Sequence, residues 1–220
     1  FNQVDLDFIK DNYFLDEITS KLLAIKNIKK EDLENYLNPT LKNILPNPDI
    51  LIDMNKAVIR TIEAINKKEK IGIFGDYDVD GATSTAILGK YFAELKCDFE
   101  IYIPDRKTEG YGPSIKGFKK LINNGSKLIF TVDCGTLSFE PIDFATKLKT
   151  DILVLDHHQS EIKLPSAYAI VNPNRLDDKS DLNYLCAAGV CFMFLISLNK
   201  ELRKINWFEI NNLKEPNLIS

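Results

Sequence analysis

Short apolar runs alternate with amphipathic helical patterns from residue 70 onward. Four runs, each ended by Gly, Pro or Asp, span residues 71–75, 99–103, 128–132 and 152–155. Between them, residues 82–95, 114–123 and 139–148 carry apolar side chains at helical spacing. This alternation predicts an α/β fold, with a mostly parallel sheet flanked by helices on both faces.

A fifth apolar run and a longer apolar segment follow. Residues 167–171 predict a further short strand, and residues 185–198 predict a buried helix. The helix is the longest strongly apolar stretch in the chain, but it is too short to span a bilayer. We therefore expect no membrane association.

Residues 1–69 differ from the rest of the chain because they show helical patterns and no strong strand. The patterns predict helices over residues 15–28, 31–37 and 50–66. Prolines at 39, 46 and 48 exclude a continuous helix that would join residues 31–37 to residues 50–66. We predict a helical N-terminal appendage over residues 1–69 and an α/β domain over residues 70–220.

The composition indicates one large folded domain, or a core with an appendage. The 220 residues are 45% hydrophobic, which excludes a disordered or collagen-like chain. The formal charge of −4 argues against a strongly basic protein that coats nucleic acid. The four cysteines form no CxxC pair, so we expect reduced and mostly buried thiols in a cytoplasmic protein.

Ligand-type residues follow three of the predicted strands. They are Asp76 and Asp78 after the first, Asp133 after the third, and Asp156, His157 and His158 after the fourth. Because the carboxyl ends of parallel strands lie at one edge of a sheet, these side chains should converge in one crevice.

Carboxylates gathered in one crevice repel each other unless they are protonated or bind a cation. Mg²⁺ and Mn²⁺ take carboxylate oxygens, and imidazole ligands favour Mn²⁺ or another transition metal. Two adjacent divalent ions can stabilise the attacking and leaving oxygens of a phosphoryl transfer. The residues alone therefore predict a two-metal hydrolase.

Each of these residue sets also has an ordinary structural explanation. An Asp at a strand end often caps the following helix, and for Asp80 we favour this role. Turn hydrogen bonds would account for one of Asp76 and Asp78, and a histidine pair can belong to a plain loop. Because ligand-type residues follow three separate strands, we favour a metal site over these explanations.

Two further segments offer groups that suit a phosphate or a base. The predicted helix start at residues 81–85 includes free backbone N–H groups and the hydroxyl of Ser84, which can bind a phosphate. In the loop 104–112, Arg106 suits a phosphate and Tyr111 suits stacking on a base. An ordinary helix start and a solvated turn explain the two segments equally well.

Three motifs in this order resemble those of the DHH phosphoesterase superfamily. They are Gly-Asp-Tyr-Asp-Val-Asp-Gly at 75–81, Val-Asp-Cys-Gly at 132–135 and Asp-His-His at 156–158. Three further features are similar to the RecJ family of single-strand-specific exonucleases. They are Tyr-Ile-Pro-Asp-Arg at 102–106 with Glu-Gly-Tyr-Gly at 109–112, Asn-Pro-Asn at 172–174 with Leu-Cys-Ala-Ala-Gly-Val at 185–190, and the helical stretch before the first motif.

The resemblance implies a 5′→3′ exonuclease that acts on single-stranded DNA in recombination and repair, alongside other repair proteins. It also implies dependence on Mn²⁺ or Mg²⁺, with two ions bound. By motif, the implied metal ligands are Asp76, Asp78, Asp133 and His157, with Asp133 bridging the ions.

The resemblance further implies catalytic and DNA-contacting residues. The implied catalytic residues are Asp133, Asp156, His157 and His158, of which His158 would lie near the scissile phosphate. Arg106 and Gly189 would hold the DNA backbone. With Ser84 and Tyr111 they make up the predicted substrate-binding residues.

The chain departs from the family pattern in two places. Gly72 and Phe74 stand where some relatives have a histidine, and no match to the family's last aspartate ligand occurs before Ser220. The family's second associated domain and its OB-fold have no counterpart here either. We therefore expect that the chain is part of a longer protein and that the 220 residues alone have weak nuclease activity or none.

Two other functions stay open at the level of sequence. The chain could be a small-substrate phosphodiesterase of the superfamily, acting on short oligonucleotides, cyclic dinucleotides or pyrophosphate. The helical N-terminal segment and the loop 104–112 argue against that function. A catalytically inactive binding module is the other alternative, and the presence of every ligand type in the motifs argues against it.

Overall fold

Four short helices form in the described part of residues 1–47. The structure, a computed structural model, describes residues 3–219 and the side chains of residues 6–219. The helices are α1 (Gln3–Tyr13), α2 (Glu17–Ile25), α3 (Leu33–Leu37) and α4 (Leu41–Ile44). Leu6, Ile9, Leu23 and Leu33 bury their side chains in a small core. These helices lie in one compact unit, Phe1–Asn47.

A second compact unit, Pro48–Ser220, contains the predicted sheet and its helices. Its elements are α5 (Met54–Asn66), β1 (Lys70–Phe74), α6 (Val79–Glu94), β2 (Phe99–Tyr102), α7 (Ile115–Asn123), β3 (Ser126–Val132), α8 (Phe139–Lys147), β4 (Asp151–Leu155), β5 (Ala169–Val171), α9 (Ala187–Lys204) and α10 (Trp207–Ile210). Each predicted strand and helix of the α/β domain has a counterpart, with bounds that differ by a few residues. The α/β fold class is confirmed.

The five strands are all parallel and lie in the order β2-β1-β3-β4-β5. From β1 the chain first moves to one side, to β2, and then to the other side, to β3. The loops after β1 and β3 therefore diverge, and they open a crevice at the carboxyl ends of these two strands. This is the edge at which the sequence predicts the metal site.

The strands carry apolar side chains on both faces, because helices cover both. Ile71, Ile73 and Phe130 belong to the larger core, which includes buried side chains of α5, α6 and α9. Phe74 and Ile129 belong to a second core together with α7 and α8. The predicted two-sided helical cover is present.

Helix α5 belongs with the sheet and not with the N-terminal helices, so the structural division falls before it and not after residue 69. It packs against β5 and α9, and Met54, Ala57 and Val58 are fully buried in the larger core. The apolar face of α5 packs against the sheet. Helical spacing in the sequence predicts the helix, but it does not show which surface the helix packs against. The predicted division into a helical segment over residues 1–69 and a DHH phosphoesterase domain over residues 70–220 stays a prediction.

Within residues 3–219, no helix has the length and apolar character needed to cross a membrane.

Candidate metal centre

The turn after β1 is held tightly against the start of α6. Asp76 is buried, and an added Cβ at Gly81 would lie 2.6 Å from its Cβ and 2.8 Å from its Cα. Only glycine, which has no side chain, fits so close to Asp76. The carboxylate of Asp78 accepts the backbone N–H of Gly81 at 2.9 Å and caps α6. The turn thus fixes two carboxylates at the crevice.

Asp80 does not cap its own helix, and this prediction was wrong. Its two carboxylate oxygens accept the backbone N–H groups of Ala187 and Ala188, each at 2.8 Å, at the start of α9. Asp78, two residues earlier, has the extended backbone of a cap residue, whereas Asp80 lies inside the first turn of α6. Sequence alone favoured Asp80 because it directly precedes Gly81.

Asp133 follows β3 in a left-handed conformation, with φ of 60°. Its backbone N–H donates to the carbonyl of Leu155 at 3.1 Å, and the residue is only 2% exposed. The pKa of its carboxyl is raised to about 8, first by burial and then by the neighbouring carboxylates of Asp80 and Asp78. Because the charged form is disfavoured here, the site favours a bound proton or a cation.

Asp156 is buried and has hydrogen bonds on both carboxylate oxygens. One oxygen accepts the N–H of His157 at 2.7 Å, the N–H of His158 at 3.2 Å, and Nδ1 of His158 lies 2.7 Å away. The other accepts the N–H and the hydroxyl of Thr136 at 3.1 and 2.6 Å. Asp156 therefore orients the histidine pair, and we interpret it as a positioning residue.

These hydrogen bonds set the charge states of the pair formed by Asp156 and His158. Burial would raise the pKa of Asp156, but the bonds from His158 and Thr136 outweigh it and keep the pKa low. The bond to Asp156 raises the pKa of His158 above its ordinary value. The His158 ring is thus held in one orientation and made a better proton carrier.

Two asparagines after β5 support the histidine backbone, and sequence reasoning assigned them no role beyond the resemblance. Asn172 donates to the hydroxyl of Thr136 at 2.8 Å and to the carbonyl of His158 at 2.9 Å. Asn174 donates to the carbonyl of His157. Because β3, β4 and β5 pair in register, Asp133, Asp156 and Asn172 follow directly after paired residues.

The ligand-type side chains form two groups that share Asp133. One group is Asp76, Asp78 and Asp133, and the other is Asp133, His157 and His158; within each, ligand atoms lie within 4.8 Å of one another. In the described part of the chain, Oδ1 of Asp76 and Oδ1 of Asp133 are buried without a hydrogen-bond partner. Buried orphan carboxylate oxygens of this kind fit divalent cations. The predicted ligands therefore converge as expected.

Tyr111 lies inside this centre and not only at its rim. Its hydroxyl donates to the backbone carbonyl of Asp133 at 3.0 Å and lies 3.2 Å from Nε2 of His158. The residue is still 56% exposed. Sequence reasoning gave Tyr111 a stacking role and missed this link to the metal centre.

Arg106 is exposed and its guanidinium lies 5.3 Å from the ring centre of Tyr77, next to Asp76. The three other arginines, Arg60, Arg175 and Arg203, form ion pairs with carboxylates. Among the described ion pairs Arg106 takes part in none. Its predicted contact with a phosphate stays a prediction.

The two remaining predicted substrate-binding residues, Ser84 and Gly189, differ in their exposure. Ser84 is fully buried within α6, so its hydroxyl does not reach the crevice, and its burial contradicts the predicted phosphate contact. The serine is buried because α6 packs on α9. Gly189 lies in the first turns of α9, partly exposed, next to the two amides that Asp80 binds.

Residues 70–214 match the DHH family, N-terminal domain. The chain belongs to the DHH family. Relatives within this DHH group include the single-stranded-DNA-specific exonuclease RecJ of Bacillus subtilis (strain 168), 38% identical over 149 residues, or 68% of this chain and 19% of that protein. The RecJ of Escherichia coli (strain K12) is 33% identical over 206 residues, or 93% of this chain and 35% of that protein. The chain thus spans between a fifth and about a third of these relatives.

Solved structures of DHH proteins agree with the fold. An exonuclease RecJ bound to manganese matches with a TM-score of 0.64 and 30% identity, over 76% of this chain and 40% of that one. RecJ from Thermus thermophilus in complex with Mn²⁺ matches over 98% of this chain and 28% of that one, with a TM-score of 0.73 and 23% identity. The second likeness concerns the DHH fold alone.

Proposed function

We propose that this chain is the N-terminal catalytic part of a metal-dependent 5′→3′ exonuclease that hydrolyses phosphodiester bonds of single-stranded DNA. The observation that carries the proposal is the position of Asp133, whose buried carboxylate belongs to both ligand groups. The RecJ relatives support the choice of substrate, because their names specify single-stranded DNA. The manganese named with the RecJ structure supports Mn²⁺ or Mg²⁺ as the cofactor.

The donor set fits two hard divalent ions, held by Asp76, Asp78, Asp133 and His157. When bound, such ions stabilise the charges that develop on the attacking and leaving oxygens of the phosphodiester. They would also offset the formal charge of −4 and so reduce repulsion of a phosphate backbone.

The chain's own residues supply orientation and proton transfer. Asp156 holds Nδ1 of His158, which leaves Nε2 beside the Tyr111 hydroxyl to carry a proton to or from a phosphodiester oxygen. Arg106 would bind a phosphate of the DNA backbone by its fork of N–H groups. The rings of Tyr77 and Tyr111 flank the crevice and offer surfaces for bases.

The partner in this proposal is single-stranded DNA, and the protein would act in recombination and repair with other repair proteins. A cytoplasmic location and the absence of membrane binding belong to the same proposal.

The test compares Asp133→Asn with Asp181→Asn in the full-length protein. Both aspartates have positive φ, 60° and 58°, but Asp181 is exposed and lies in neither ligand group. We expect Asp133→Asn to abolish Mn²⁺ binding in calorimetry and DNA degradation, and Asp181→Asn to leave both unchanged.

The substrate is tested in the same assay with long single strands, duplexes and dinucleotides, each labelled at the 5′ or the 3′ end. Release of the 5′ nucleotide first, from single strands only, is the expected result. Preference for dinucleotides would contradict the proposal and favour a small-substrate phosphodiesterase. Mn²⁺ binding without any hydrolysis would favour an inactive binding module.

A further inference from the structure

The start of α9 has no cap from its own neighbourhood. Cys186 occupies the cap position and its side chain makes no capping hydrogen bond. The first helical residue, Ala187, is fully buried, so water cannot satisfy its backbone N–H. Free N–H groups at a buried helix start need another acceptor.

That acceptor is Asp80, 107 residues earlier in the chain. Its two oxygens accept the N–H groups of Ala187 and Ala188, one each, at 2.8 Å. A serine or aspartate at position 186 would cap α9 equally well for stability alone. The carboxylate of Asp80 also connects α9 to the turn after β1, which a capping residue at position 186 would not do.

The position of Asp80 itself is fixed by the metal-binding turn. Gly81, the next residue, lies so close to Asp76 that an added Cβ would approach the Asp76 backbone to 2.8 Å. Asp78 holds the N–H of Gly81 in addition. The turn that carries two predicted ligands therefore also dictates where α9 begins.

The same carboxylate borders the other ligand group. Oδ2 of Asp80 lies 3.6 Å from Nε2 of His157, and that nitrogen lies 3.3 Å from Oδ1 of Asp133. A displaced Asp80 side chain would therefore change the surroundings of a histidine that belongs to the centre. Gly189, predicted to contact DNA, lies one residue beyond the two amides that Asp80 holds.

We propose that Asp80 is a positioning residue that locks the start of α9 and the ring of His157 to the metal-binding turn; the inference rests on the proposed function of that centre. Through one carboxylate it joins the two ligand groups and the predicted DNA contact of α9. Its effect on metal binding is then larger than the loss of a helix cap would explain.

The test uses Asp80→Asn and Asp80→Ala in the full-length protein, with Asp16→Asn as the matched control. Asparagine has the shape of aspartate, but its NH₂ group would face one of the two amide donors. Asp16 also accepts two backbone N–H groups, those of Ile18 and Thr19, at the start of α2, where no predicted ligand lies. Asp16 accepts both N–H groups through Oδ1 and the Thr19 hydroxyl through Oδ2, so Asp16→Asn keeps an acceptor for the backbone and controls for the loss of a carboxylate charge at a helix start. Asp80→Ala removes both acceptors of Asp80.

The readouts are Mn²⁺ affinity by calorimetry, the electron paramagnetic resonance spectrum of bound Mn²⁺, and amide hydrogen exchange at residues 187–189. For Asp80→Asn we expect faster exchange at these amides, an altered spectrum and Mn²⁺ affinity lower by about 10- to 100-fold, as for other residues that orient metal ligands. The Asp16→Asn protein should keep the affinity and spectrum of the unsubstituted protein.

Unchanged Mn²⁺ affinity and spectrum in Asp80→Asn would overturn the inference, and so would equal losses in Asp16→Asn. If Asp80→Ala fails to fold, the Asn variant decides the matter. An unsubstituted protein that binds Mn²⁺ but leaves single-stranded DNA intact would contradict the proposed function, while the metal titrations would still decide the role of Asp80.

Discussion

The hydroxyl of Tyr111 donates a 3.0 Å hydrogen bond to the backbone carbonyl of Asp133. It lies 3.2 Å from Nε2 of His158 as well. One phenol thereby connects the loop 104–112 to the ends of β3 and β4, and the loop is coupled to the proposed reaction centre.

Tyr111→Phe should lower kcat on single-stranded DNA and leave KM nearly unchanged. The ring stays available to a base, but a hydrogen bond worth about 1 kcal/mol is lost, which corresponds to about fivefold in rate. Steady-state kinetics with saturating Mn²⁺ measure this split. Tyr111→Ala, which removes the ring too, should raise KM in addition, and a Phe variant with unaltered kcat would show that the hydroxyl has no role in orienting His158.

Asp133→Asn and Asp156→Asn should change the stability of the metal-free protein in opposite directions. At Asp133 the substitution removes a buried carboxylate that neighbouring carboxylates repel, and should stabilise by about 1 kcal/mol. At Asp156 it places an NH₂ group against N–H donors, and should destabilise by about 3 kcal/mol. Urea unfolding in the presence of a chelator gives both values; the same sign for the two would refute the different roles assigned to them.

Gly81→Ala should destabilise the protein by about 3 kcal/mol and abolish metal binding, because the new Cβ would overlap the Asp76 backbone. Gly89→Ala, two turns later in α6, is the control. Its Cβ would meet the end of the Ile101 side chain at 3.3 Å and the Phe99 ring at 3.6 Å, and helix propensity favours Ala by about 1 kcal/mol. Thermal unfolding and Mn²⁺ titration of both variants test whether the close contact between Gly81 and Asp76 is needed for stability and metal binding.

Arg106→Gln should raise KM for single-stranded DNA by about tenfold and reduce the slope of log KM against log salt by about one, as expected for one lost phosphate contact. Arg203→Gln is the control, since Arg203 is already paired with Glu215 at 2.8 Å. Equal effects of the two substitutions would indicate only a general loss of positive charge.

Asp49→Asn should cost about 1 kcal/mol at pH 7 and nothing in strong acid. Asp49 bonds to Lys200 and Ser197 on α9, and the Lys200 bond above all lowers its pKa below 3.8. A lowered pKa stabilises the fold above the unfolded value, and this contribution disappears as the pH falls from about 4 through the folded value. Urea unfolding from pH 7 to pH 3 should show the two proteins converging.

The sequence sufficed for the sheet, its helices and the convergence of the ligands, because these follow from local patterns and from one rule about parallel strands. Asp76, Asp133 and His157 were predicted from their positions after strands alone. The order of strands, which places β1 beside β3, was not predicted, since it depends on packing between distant segments.

The wrong predictions for Asp80 and Ser84 have one cause in common. Asp80 and Ser84 lie in the first turns of α6, where sequence indicates a helix start but not which neighbour packs on it. The partner is α9, more than 100 residues later, and it turns Asp80 into a remote cap and Ser84 into a core residue. Tyr111 was predicted to stack its ring on a base. The contact of its hydroxyl with Asp133 depends on the conformation of the loop 104–112, which the sequence does not show.

The bond between Asp80 and the start of α9 also bears on the order of events during synthesis. The four ligands proposed within this chain, Asp76, Asp78, Asp133 and His157, have been synthesised once residue 158 is in the chain, but α9, whose start Asp80 binds, follows later. A nascent chain therefore carries these four side chains before α9 can help to hold them in place. Tight binding of manganese should thus begin only when α9 has emerged, and metal capture would report that this part of the molecule has finished folding.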